Sequence, residues 1–193
     1  MPRQLRQLQD NAIYHLMARG NAKEDIFREA KDYDRYLFYV QRAKIKMHVQ
    51  VYSYVLMPNH VHFMMKTDKA ENVSKFMHLA HTCYSAYFNY KYDRVGHVFQ
   101  GRFKSKYVHE DVYLIYLSKY IHLNPVLSGL VKKVDEYPWS SYQDYMNANG
   151  TGFVDTSFLI EVFESQYGGG IEGYRCFVKK EEVLPNVSFA SFV

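Results

Sequence analysis

Two histidines one residue apart, His60 and His62, sit in the most chemically loaded stretch of the chain, Tyr54-Val-Leu-Met-Pro-Asn-His-Val-His-Phe-Met-Met-Lys66. On a β-strand alternate residues share a face, so both imidazoles point one way and Val61, Phe63 and Met65 the other. Two neutral imidazoles side by side can hold a metal ion, and they equally suit a polar strand face with no ligand. A second pattern lies downstream. Tyr113, Tyr116, Tyr120 and Asn124 are spaced three, four and four residues apart, one stripe of a helix. An Asn carbonyl oxygen suits Mg²⁺ or Mn²⁺, and a tyrosine one turn away would bring its hydroxyl to the same ion. The competing reading is that the tyrosines pack and Asn124 caps the helix; because Asn124 precedes Pro125, its backbone direction stays open. Third, Arg102, Lys104 and Lys106 alternate among Phe99, Phe103 and Tyr107, with Tyr92, Arg94 and His97 close by. Basic groups contact phosphates and aromatics stack on unpaired bases, while a solvated edge strand would use the same lysines.

The elements that must position these groups follow from periodicity. Residues 1–10 are polar and basic and read as a mobile arm. Ala12 to Ala18 reads as a strand, with Ile13, His15 and Met17 on one face. Arg19-Gly20-Asn21 ends it in a turn. Asp32 to about Lys46 reads as a helix with Asp32 as N-cap, and Val49 to Leu56 as a second strand. Pro58-Asn59 suits a tight turn into an antiparallel third strand from His60 to Met65. Asn72 to about Tyr92 has a helical apolar stripe. Val98 to Val108 reads as a basic strand, and Asp111 to Leu123 as a helix stopped by Asn124-Pro125. A turn at Tyr137 to Tyr142, a short helix over 158–163 and a packed segment over 174–178 complete the pattern. One domain over 1–193 is expected, with a core over 11–142 and a C-terminal extension over 143–193. The element order predicts an α+β fold, a mostly antiparallel sheet with helices on one face.

At 193 residues, 48% hydrophobic and 23% charged, the chain can build a real core. Its 19 tyrosines are unusual, although any single one is expected to pack. A net charge of +4 is compatible with a polyanionic partner. Two distant cysteines, Cys83 and Cys176, form no ligand pattern and are expected as buried thiols in a reducing compartment. With no apolar leader and no run of roughly 20 apolar residues, an intracellular protein without membrane contact is expected.

Taken together, Arg19-Gly20-Asn21, the Tyr54–His62 stretch, Gly101-Arg102-Phe103-Lys104-Ser105, Tyr120-Ile-His-Leu-Asn-Pro-Val126 and Tyr137-Pro-Trp-Ser-Ser-Tyr142 resemble the REP-associated tyrosine transposases. These are bacterial relatives of the single-tyrosine insertion-sequence transposases, within the His-hydrophobe-His endonucleases. The resemblance implies a ferredoxin-like, palm-type domain in which His60, His62 and Asn124 bind Mg²⁺ or Mn²⁺ and Tyr120 is the nucleophile. It implies a substrate of single-stranded DNA folded as an imperfect, REP-like hairpin, cleaved and rejoined through a 5′-phosphotyrosine. Arg19, Asn21, Arg102, Lys104 and Lys106 are the expected backbone contacts, and Arg3 and Arg6 would read sequence beside the hairpin. The resemblance places the protein at the bacterial nucleoid, and leaves open a homodimer sharing sites or a monomer. His122, two residues from Tyr120, faces elsewhere on a helix, and no general base is evident. The alternatives are a non-catalytic DNA or RNA hairpin-binding module and a zinc hydrolase, which lacks another ligand at convincing spacing.

Overall fold

The computed structural model describes residues 8–109, 111–146 and 152–180. Four strands, β1 (Ala12–Arg19), β2 (Gln50–Met57), β3 (His60–Thr67) and β4 (Lys104–Val108), form one sheet in the order β2-β3-β1-β4, with every neighbouring pair antiparallel. With α1 (Ala30–Met47) between β1 and β2, and α2 (Ala70–Lys91) between β3 and β4, the order is β-α-β-β-α-β, the ferredoxin-like arrangement. The α+β class and the antiparallel sheet are as the sequence predicts.

The two faces of the sheet differ. Tyr14, Leu16, Val61, Phe63 and Met65 point to α1 and α2, where Tyr36, Val40, Phe76, Ala80 and Tyr84 bury them. Each such side chain contributes roughly 1.5–3 kcal/mol when removed from water. His15, Met17, His60, His62 and Met64 point to the other face, as their register across β1 and β3 requires. Helices on a single face therefore describe α1 and α2 only. A further helix, α3 (Asp111–Leu127), crosses the opposite face, with Tyr120 edge-on to His62 and His15.

Several boundaries move for physical reasons. The N-cap of α1 is Glu29, and Asp32 sits three positions inside, completing a reciprocal capping box. The basic strand begins only at Lys104: Gly101 adopts φ +63°, and residues 98–100 instead pair with the Arg19–Asn21 turn. Arg102 is thus an exposed loop residue outside the expected alternation, which holds for Lys104 and Lys106. Pro125 does not stop α3; the helix runs on to Leu127, so Asn124 keeps helical geometry. Residues 139–141 lie along the outer edge of β2, through Leu56 N to the Trp139 carbonyl and Ser141 N to the Tyr54 carbonyl, covering an edge that would otherwise be open.

Three more helices follow, α4 (Tyr142–Met146), α5 (Thr156–Tyr167) and α6 (Gly170–Lys179). Tyr174, Phe177 and Val178 are buried, and the Tyr174 hydroxyl bonds Ser118 Oγ at 2.9 Å and His122 Nδ1 at 3.0 Å, bracing the back of α3. Cys83 is half-buried and Cys176 exposed, so neither is the buried thiol expected. Among the described residues no helix is long and apolar enough to cross a membrane. Arg3 and Arg6 lie outside the described residues.

Candidate active site on the open sheet face

The Pro58-Asn59 turn delivers His60 as the first residue of β3, and His62 follows on the same face one pleat further in. Both are buried, His62 completely. Each ring is held through Nδ1. His60 Nδ1 lies 2.7 Å from Asn59 Oδ1, and His62 Nδ1 lies 2.8 Å from His15 Nε2. The Asn59 amide is itself oriented, because its Nδ2 donates to the Lys23 carbonyl at 3.3 Å and so turns Oδ1 toward His60. Nε2 of His60 and Nε2 of His62 are buried with no hydrogen-bond partner among the described residues. Their rings lie 5.1 Å apart.

Across from them, α3 presents Tyr120 and Asn124 on one side, one turn apart, each 7% exposed, so access is narrow but real. The Tyr120 ring stands perpendicular to His62 at 5.7 Å between centroids. The Asn124 amide is close enough to both Tyr120 and His60 to shift the proton affinity of each; at His60 Nε2 the contact is short of a formed hydrogen bond. Burial pushes the Tyr120 phenol up from its ordinary value, and the hydrogen bond from Asn124 partly offsets this. Burial lowers His60 to about 4, with Asn124 opposing and Arg19 assisting. Burial, then the neighbouring His15 and His60, hold His62 well below the usual imidazole range. Both rings are therefore neutral near pH 7, with lone pairs free for a cation.

Among the described residues no three His, Cys, Asp or Glu side chains converge as a metal cluster. The available donors are two imidazole nitrogens and one amide oxygen. The amide oxygen suits a Mg²⁺ or Mn²⁺ ion and the imidazoles a borderline transition ion, and the set is one protein ligand short of a structural zinc site.

Basic residues ring this face. Register places Lys106 opposite His15 and Lys104 opposite Met17, hence on the histidine side. Lys106 Nζ sits 4.8 Å from the Tyr113 ring. Arg19 pairs with His60 across the strands, and its guanidinium donates to Gln100 Oε1 at 2.7 and 3.0 Å. Arg19 borders two clefts: one of about 520 Å³ with Lys23, Asn59 and His60, and one of about 280 Å³ with Gln100, Arg102 and Lys104. Asn21 is exposed beside them. Arg94 is tied to Glu24 at 2.6 Å. His122, bonded to Ser141 and Tyr174, lies outside the site as its helical position predicts.

Sequence reasoning thus assembled His60, His62, Tyr120 and Asn124, and missed His15, Asn59, Lys23 and Gln100. The sharing of a strand face by His15 and Met17 was a signal, but the pairing of His15 with His62 spans 47 residues and needs the β1–β3 register.

An antiparallel β-α-β-β-α-β sheet with paired imidazoles opening a central strand, faced by a Tyr/Asn helix, defines a ferredoxin-like domain carrying a compact polar site on its open face. The chain belongs to the family described as "Transposase IS200 like", whose model matches residues 8–124. A REP-associated tyrosine transposase bound to a REP hairpin shares the fold, at 16% identity and TM-score 0.60 over 81% of this chain and 90% of that one. A putative transposase from Deinococcus radiodurans R1 is 12% identical, with TM-score 0.44 over 62% of this chain and 95% of that one. No curated protein sequence matches the chain.

Proposed function

We propose that this transposase cuts and rejoins single-stranded DNA at a hairpin, with Tyr120 as nucleophile and His60, His62 and Asn124 as ligands of Mg²⁺ or Mn²⁺. One observation carries the reading: the His60 and His62 rings, each with a buried Nε2 that has no hydrogen-bond partner among the described residues, lie with the Asn124 amide beside Tyr120. When bound, the divalent ion supplies charge to offset that building on the phosphate oxygens.

The chain's own residues do the rest. Tyr120 Oη attacks the phosphorus, forming a 5′-phosphotyrosine; the bond to the 3′ oxygen breaks, and the phenol proton is in net exchanged for one on the departing 3′-hydroxyl. The retained ester energy lets a second 3′ end attack and rejoin without a nucleotide cofactor. The Asn124 amide, by lowering the phenol's proton affinity, favours the attacking form. Arg19, Asn21, Lys23, Arg102, Lys104 and Lys106 hold the backbone at the two clefts. The fold shared with a protein bound to a REP hairpin supports a hairpin as the substrate, and action on such a substrate in the bacterial nucleoid belongs to the same proposal. Tyr120 faces the histidines of its own chain, which supports a site complete in one copy.

The test is incubation of labelled hairpin DNA with Mn²⁺. Wild type forms a covalent adduct that chelator prevents, and Tyr120→Phe forms none. Adduct at the wild-type level with Tyr120→Phe would refute the assignment, and binding indifferent to chelator with no adduct would favour a non-catalytic hairpin-binding module.

A further inference from the structure

The two imidazoles need more than a shared face. An imidazole carries its single mobile proton on either nitrogen, and only the unprotonated nitrogen can ligate a cation. Both rings here leave Nε2 buried with no hydrogen-bond partner among the described residues, and both place Nδ1 against a fixed partner. For His60 the direction is settled by chemistry. The Lys23 carbonyl can only accept, so it takes the Asn59 Nδ2–H; the oxygen then facing His60 can only accept, so His60 Nδ1 must donate. For His62, a proton on Nε2 would leave a buried N–H with no acceptor among the described residues. The alternative, a proton on His62 Nδ1 donated to His15 Nε2, moves the His15 proton to that ring's own buried Nδ1, so burial alone does not choose between the two; a cation on His62 Nε2 does, because a ligating Nε2 carries no proton and Nδ1 must then donate to His15. The His15 ring is 1% exposed and stacks on His62 at 20° between planes, so the partner is rigid.

We propose that His15 and Asn59 are positioning residues: neither is a ligand, and each holds one imidazole with Nδ1 protonated and Nε2 presented to the open sheet face. The proposal rests on the metal-site reading above. It assigns a role to the histidine of β1 and to the second residue of the Pro58-Asn59 turn. Outer partners of this kind typically change metal affinity by about 10–100-fold when removed.

The experiment has two readouts, neither of them catalytic. Mn²⁺ affinity is measured by calorimetry on wild type, His62→Ala, His15→Phe, His15→Gln, Asn59→Ala and Asn59→Asp. His62→Ala abolishes binding; His15→Phe and Asn59→Ala each weaken it by about 10–100-fold. His15→Gln and Asn59→Asp, which keep an acceptor oxygen, recover part of the loss. Separately, long-range ¹⁵N–¹H correlation on wild type reads the tautomers directly: His60 is protonated on Nδ1 in the metal-free protein, and both His60 and His62 are protonated on Nδ1 with Mg²⁺ bound. The spectrum stands even where His15→Phe does not fold. If wild type binds no Mn²⁺, or His62→Ala binds as wild type does, the metal-site reading itself fails. If His62→Ala abolishes binding but His15→Phe and Asn59→Ala match wild type, or His60 carries its proton on Nε2 in the metal-free protein, or His62 Nδ1 carries none with Mg²⁺ bound, the positioning roles are overturned and the metal site stands.

Discussion

Replacing Asp32 by Asn tests the packing of the layer beneath the sheet. The Asp32 carboxylate is fully buried and accepts from five donors: Lys91 Nζ at 2.5 Å, the Tyr92 hydroxyl at 2.6 Å, Arg28 N at 2.9 Å, the Tyr87 hydroxyl at 3.0 Å and Glu29 N at 3.2 Å. It ties the start of α1 to the end of α2. An asparagine of the same size has one acceptor oxygen, so its NH₂ must face some of these donors. Tyr87 can rotate its hydroxyl to accept from the amide, but Lys91 cannot. Removing one partner of a buried ion pair costs about 3–5 kcal/mol, and the low end applies because Lys91 keeps Glu29 at 2.6 Å and is 23% exposed. Urea unfolding at pH 7 therefore finds Asp32→Asn about 3 kcal/mol less stable. The pH dependence fixes the cause. Burial pushes the Asp32 carboxyl up, but Lys91, Tyr92, the Arg28 N–H and Tyr87 outweigh it, and the net shift is downward. A carboxyl depressed in the folded state contributes stability above its unfolded value, near 3.9, and loses it as pH falls through the folded value. The gap between wild type and Asp32→Asn thus narrows below about pH 4. A loss under about 1 kcal/mol at pH 7, or a gap unchanged at acid pH, would refute the reasoning.

Other expectations follow from the same geometry. Tyr174→Phe strips a hydroxyl from Ser118 and His122 and costs about 1–3 kcal/mol in urea unfolding, since His122 Nδ1 is left buried without that partner. Gly20→Ala would set a Cβ 2.1 Å from the Glu24 carbonyl oxygen and 2.9 Å from Ile26. Because the nearer clash is with backbone, about 1–3 kcal/mol of stability is lost, read in the same assay. Lys104→Ala and Lys106→Ala each weaken single-stranded DNA binding, and each lowers the slope of log affinity against log salt by about 0.7, measured by fluorescence anisotropy across a salt series.

Much of this site can be read in the chain because it rests on local rules. Period-two alternation puts His60 and His62 on one face, and Pro58-Asn59 sets where β3 starts. A helical spacing of four aligns Tyr120 with Asn124. What is not legible depends on contacts distant in sequence or on competing local preferences. Pro125 argues for a helix stop, yet the buried run Ser118–Ile121 and the bonds from Ser128 N and Leu130 N to the Asn124 and Pro125 carbonyls carry the helix through. Asp32 looks like an N-cap, yet Glu29 caps and Asp32 bonds back to the Arg28 and Glu29 N–H groups. The alternation of Arg102 with Lys104 and Lys106 suggests one long strand, but the positive φ of Gly101 breaks it and frees residues 98–100 to clamp the Arg19 turn. That α3 lies across the sheet from α1 and α2 follows from no single segment; it emerges once the histidine face needs cover and α6 braces α3 through Tyr174.

The most direct test of the central claim is to trap the covalent complex with a hairpin substrate in Mn²⁺, digest it with protease and nuclease, and locate the nucleotide by mass spectrometry. The account predicts a single 5′-linked nucleotide on Tyr120, on the same chain whose His60 and His62 are intact when wild-type and His62→Ala copies carrying different tags are mixed. Attachment to Tyr113, Tyr116 or any other residue, or label on the His62→Ala copy, would contradict it.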